Sequence, residues 1–197
     1  MLVKLQNARL SFANGLFNAT ALEPTQVAKF GADFLLTPDT TVYKKVDSAW
    51  VKTTMEDVLL EVANGTWKGK GKQMLESLEA SKKCLRDGSG RVNKSGEVYA
   101  GYEGLKYVSA KTKTRPEIID ERKAPIAEQD GKIYSGCYVN VSFDVYGLAD
   151  PKKKGVHSSL RAVQFCKDGP AFGAGTVAGA KDDFEELEVS ADMNDLL

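Results

Sequence analysis

Among 197 residues there is one histidine, His157, with three cysteines and two tryptophans. A single imidazole excludes histidine-clustered metal centres, and the H-x-E and P-C-x-x-C pair of a zinc deaminase is missing. Cys84, Cys137 and Cys166 are odd in number, far apart and without a C-x-x-C pair. That is the usage of reduced thiols, not of disulfides or structural zinc. No apolar run approaches a membrane span, and the opening MLVKLQNARLSF lacks the charged-then-apolar order of a signal peptide. A protein without membrane contact is expected, and without export the sequons at Asn18, Asn64, Asn93 and Asn140 carry no meaning. Phosphate loops are missing too: GKGKQ has the wrong spacing and ending for a P-loop, and Gly173, Gly175 and Gly179 do not fit G-x-G-x-x-G. Asp182-Asp183 is a carboxylate pair in an acidic tail, a poor place for a preorganised metal. The expectation is a protein with no catalytic residue, no metal and no cofactor.

What the chain does have is charge separated along its length. Lys and Arg number 27, as do Asp and Glu, so the net charge is zero. Seven of the acids fall after Lys181, in DDFEELEVSADMNDLL, where there is no cation. That leaves 20 acids against all 27 cations in residues 1–181, a body of +7. A basic body with a separate acidic tail suits a polyanionic partner.

Periodicity predicts a mainly β chain with inserted helices. Lys4 to Phe12 and Lys29 to Leu36 alternate as half-buried strands. A helix is expected from an N-cap at Thr53 or Thr54, with Met55, Val58, Leu59 and Val62 at helical spacing, ending at Asn64-Gly65; a second is expected over Gln73 to Lys83. Tyr134 to Tyr146 alternates throughout, with Cys137, Val139, Val141, Phe143 and Val145 on one face. A further strand covers Val156 to Cys166. FGAGTVAGAK (172–181) reads as a Gly/Ala linker, which divides the chain into a domain over 1–171 and a linker with acidic tail over 172–197.

Two rows carry the functional expectation. In SAKTKTRPEIID (109–120), extended backbone would set Lys111, Lys113 and Arg115 on one face, which Tyr107 continues upstream. Tyr134, Tyr138 and Tyr146 mark the wet face of the later strand. On one sheet surface, cations would neutralise phosphates while rings offer stacking platforms to unpaired bases, at about 1–3 kcal/mol per base. Duplex bases are already stacked, so single strands are favoured and duplex DNA should bind more weakly. The loop WKGKGK adds Trp67, Lys68 and Lys70 as further contacts. Short strands, an inserted helix and a basic-aromatic groove are what an OB-type barrel supplies.

KFGADFLLTP (29–38), LRDG (85–88), KTRPEIID (113–120), YSGCYVNVSFDVYG (134–147), KKGV (153–156), VQFCKDG (163–169) and DDF (182–184) together resemble the bacteriophage single-stranded-DNA-binding proteins. The resemblance runs in order over most of the chain. It implies an OB-fold core that binds single-stranded DNA in the host cytoplasm during phage replication or recombination. It supports the Lys111–Pro116 segment and the Tyr134–Tyr146 strand as DNA-facing. It also implies an acidic tail that competes with DNA and recruits phage or host replication proteins, here through Asp182, Asp183, Phe184, Glu185, Glu186, Asp195, Leu196 and Leu197. Tails of this kind often end in an aromatic residue, whereas this one ends Asp195-Leu196-Leu197 with Phe184 at its start. Three rival functions stay open on the sequence: a strand-annealing recombination protein, a small metal-dependent nuclease and a structural virion protein. A homo-oligomer is compatible with all of them.

Overall fold

The structure, a computed structural model, describes residues 1–21 and 23–173. The linker and acidic tail from 174 onward, including every tail residue named above, lie outside the described residues.

Among the described residues nine strands form one sheet: β1 (Leu2–Ser11), β2 (Phe30–Leu36), β3 (Thr41–Val46), β4 (Ala49–Thr53), β5 (Leu85–Asp87), β6 (Lys106–Thr112), β7 (Glu117–Ile119), β8 (Tyr138–Leu148) and β9 (Gly155–Lys167). Helices α1 (Asn14–Phe17), α2 (Met55–Thr66) and α3 (Gly71–Ser77) lie in the connections. Five strands close on themselves: β1 pairs β2, β2 pairs β6, β6 pairs β9, β9 pairs β8 and β8 returns to β1. Every pairing in this ring is antiparallel except the β6–β9 seam, where Lys111 registers with Ser159. The Ser158 hydroxyl donates to the Ser109 carbonyl at 2.7 Å and fastens that seam. The expected OB-type architecture, five strands closing on one core, is therefore present as a ring.

The alternation dictates what the ring encloses. Val139, Val141, Phe143 and Val145 of β8 point inward with Val3, Leu5 and Leu10 of β1, Phe34 of β2, Val108 of β6 and Val163 of β9, all essentially without solvent exposure. One side of the ring is covered by α2 through Met55, Val58, Leu59 and Ala63. Thr54 caps that helix by accepting from the Asp57 amide, so it starts where the sequence predicts. It runs through Asn64-Gly65 to Thr66, because the Trp67 amide still finds the Ala63 carbonyl at 2.8 Å. The second predicted helix is shorter than expected, ending at Ser77.

A smaller apolar cluster lies outside the ring. Leu35, Tyr102 and Tyr107 pack with Phe12, Tyr99 and Phe172. This overturns one expected contact. Tyr107 is 3% exposed, held edge-on by Tyr102 at 5.1 Å, because residues 88–105 fold over that end of the β2–β6 pair. Its ring is a core ring and cannot meet a base.

Candidate nucleic-acid interface

The outer face of the β2–β6 pair changes character along its length. Leu35 stands opposite Tyr107, both covered. One step on, Asp33 faces Ser109; its buried carboxylate accepts from the Tyr102 hydroxyl at 3.0 Å and pairs with Arg91 at 3.1 Å. At the next pair, Gly31 faces Lys111 and the face opens. Gly31 is needed there, since a Cβ would meet the Ala110 carbonyl at 2.6 Å and the Lys111 stem at 2.8 Å.

Around Lys111 the fold gathers Lys29, Lys83, Arg86, Tyr146 and His157 in one depression whose lining contains no carboxylate. Each arrives on a different element. Arg86 comes from β5, which pairs β6, and is aimed by bonds to the Lys83 and Ser81 carbonyls at 2.8 and 3.2 Å. Tyr146 and His157 are cross-strand partners on β8 and β9, with ring centroids 6.0 Å apart, and Tyr146 is 41% exposed. The His157 Nε2 lies 3.1 Å from the Lys153 carbonyl, which ties the basic turn Lys152-Lys153-Lys154 to the same rim. Burial lowers the Lys111 pKa from its ordinary value, and the neighbouring charges of Arg86, Arg91 and Lys29 push the same way against Asp33. Crowded cations of this kind are relieved by an anion.

The predicted rows are partly gathered and partly dispersed. Of the three alternating cations only Lys111 is on β6, which ends at Thr112; a bend at 113–114 breaks the period. Lys113 is exposed in that bend, and Arg115 turns onto the Phe17 ring at 5.9 Å. The single cationic row is thus corrected to one groove lysine and two flanking charges. The tyrosine row is also split. Tyr146 lines the depression, while Tyr138 stands eight residues away along β8, about 27 Å, between Arg9 at 5.6 Å and Lys167 at 4.7 Å. Tyr134 precedes the strand and is pinned by its hydroxyl, which donates to Asp168 or Gly169 and accepts from the Gly169 amide. Trp67 packs partly against the core, leaving Lys68 and Lys70 exposed. Their loop is joined to the Tyr146 end of β8, because Thr66 fills the space a Cβ at Gly147 would take. Sequence reasoning missed Lys29, Lys83 and Arg86; the basic character of KKCLR (82–86) marks the last two, and Lys29 carries no such signal.

Among the described residues there is no group of three His, Cys, Asp or Glu placed to hold a metal, and no helix long and apolar enough to cross a membrane. Cys84 and Cys137 are buried and Cys166 is partly so, all as free thiols.

A ring of five strands with a cation-lined, ring-flanked depression on its outer face defines an oligonucleotide-binding type of β protein. The chain belongs to the family of the single-stranded-DNA-binding protein of Enterobacter phage Enc34, whose model matches residues 1–194. It is 36% identical over 199 residues to the putative protein p50 of Acyrthosiphon pisum secondary endosymbiont phage 1, covering 96% of each. It is also similar in fold to the single-stranded DNA-binding protein from bacteriophage Enc34. The structure of that protein in complex with ssDNA superposes with a TM-score of 0.64 at 19% identity, over 87% of this chain and 89% of the other. A second structure of the same protein gives 0.59 at 18% identity, over 93% and 90%.

Proposed function

We propose that this chain binds and covers single-stranded DNA during phage DNA replication or recombination in the host cytoplasm, as a binding protein without catalytic activity. The gathering of Lys29, Lys83, Arg86 and Lys111 beside Tyr146, in a lining free of carboxylate, carries the reading. Phosphates meet the cations, and an unpaired base stacks on the tyrosine. Family membership supports the polymer, and the location supports the site: OB folds bind oligonucleotides on the face of their second and third strands, here β2 and β6 of the ring. Lys68, Lys70, Lys113 and the turn at Lys152 extend the charged surface, and duplex DNA is the weaker ligand.

Residues 1–171 form the binding domain in this reading, and residues 172–197 act as a tethered acidic segment. Its seven carboxylates against a +7 body support competition with DNA for the groove, and its Phe184 and Leu196-Leu197 ends support docking to replication proteins. Replacing Lys29, Lys83 and Lys111 together by Ala should lower the log–log salt slope of oligo-dT binding by about 2, at roughly 0.7 per phosphate contact on a single strand. Tyr146→Ala should weaken binding with the slope intact. An unchanged slope in the triple variant places the DNA elsewhere.

A further inference from the structure

The β3–β4 hairpin continues the sheet beyond the ring and covers none of the core along β4, which is exposed over most of its length. Its two faces differ. On the inner side Lys44 is neutralised by Glu61 of α2 at 2.5 Å. On the outer side Lys4 registers with Tyr43, Tyr43 with Lys52, and Lys45 with Trp50, so five side chains share one face. Three of them are ammonium groups, for which no ion pair exists among the described residues. Lys4 lies 4.6 Å from the Trp50 ring centroid and 5.3 Å from that of Tyr43, and Lys45 lies 5.8 Å from Trp50. Trp50 stays 38% exposed. Lysines alone would protect a sheet edge from pairing with another chain. A half-bare indole set among them serves no such purpose.

This face is continuous with the groove. Lys4 registers with Ser142 on the outer face of β8, four residues from Tyr146. Four residues along β8 are about 13 Å, and three strand spacings from β8 to β4 are about 14 Å. The acid on that line, Asp144, is paired with Arg161 at 3.1 Å; Asp47 sits in the hairpin turn.

We propose that the outer face of the β3–β4 hairpin is a second contact surface for single-stranded nucleic acid, on which one unpaired base stacks on Trp50 and the flanking phosphates meet Lys4, Lys45 and Lys52. The inference rests on the reading of the chain as a single-strand binder and adds a separate surface to it. Cation–ring contacts hold the Lys4 and Lys45 ammonium groups beside the indole, so charge and stacking platform are presented together.

The test uses the full chain carrying Trp67→Phe, which keeps a ring against the core and leaves Trp50 as the sole indole. A long labelled oligo-dT is titrated while label anisotropy reports binding and Trp50 emission reports stacking. Emission should be quenched in parallel with anisotropy. Trp50→Ala should weaken binding roughly 5- to 150-fold, the loss of one stacked base. Lys45→Ala with Lys52→Ala should lower the salt slope by about 1.4. Anisotropy that rises while Trp50 emission stays constant, with Trp50→Ala binding as the parent does, overturns the inference and leaves the groove standing. No rise in anisotropy overturns both. Quenching by a free peptide of residues 182–197 but not by oligo-dT gives the face to the acidic segment and also overturns the inference.

Discussion

Lys111 and Tyr107, four residues apart on one strand, meet opposite surroundings: Lys111 lines the open depression and Tyr107 is buried at 3% exposure. Burial and the charges of Arg86, Arg91 and Lys29 lower the Lys111 pKa, so the unfolded chain keeps this proton to higher pH than the folded one. Stability from this group therefore rises with pH through the window between the depressed and the ordinary lysine value, and at neutral pH its charge opposes folding. Lys111→Met should leave Tm equal or higher in a thermal melt while weakening oligo-dT binding; a Tm lower by several degrees contradicts the crowding of charge described here. Tyr107→Ala should do the reverse. It empties a buried aromatic site and should cost about 3–5 kcal/mol in urea unfolding. Loss of DNA affinity with unchanged stability would return Tyr107 to the surface.

At the scale of elements, what was legible in the sequence is what packs on one core. β8 announces itself by strict alternation and α2 by its spacing and its cap, whereas the buried positions of β9 change parity between Leu160 and Val163 at a register shift against β8. Thr54→Ala should destabilise the fold by about 1 kcal/mol, a Tm loss of about 2–4 °C for a chain of this size, with oligo-dT affinity retained. Equal loss of affinity would make α2 part of the interface. The β3–β4 hairpin was not legible, because a two-stranded extension with wet residues on both faces shows little apolar alternation. The cationic row in SAKTKTRPEIID was half legible: the period of two holds to Thr112, and the bend at 113–114 then sends Arg115 to Phe17. Lys83 and Arg86 were hidden for a topological reason. Arg86 reaches Lys111 because β5 pairs β6, and Lys83 because it also bridges Val156 of β9, contacts between distant segments that no local pattern encodes.

Over the whole molecule, charge is arranged as two opposed parts of one chain, a body of +7 and a tail of −7. With a screening length of about 8 Å at physiological salt, the proposed competition of the acidic segment with DNA should be strongest when salt is low. The most direct measurement is binding of the full chain and of residues 1–181 to a labelled dT oligonucleotide and a matched duplex across a salt series. Tight, salt-sensitive binding to dT, weaker binding to duplex, and a gain on truncation that is largest at low salt is the predicted result. Equal affinity for dT and duplex, or no binding to either, would contradict the account of the Lys111 depression as a groove for single strands.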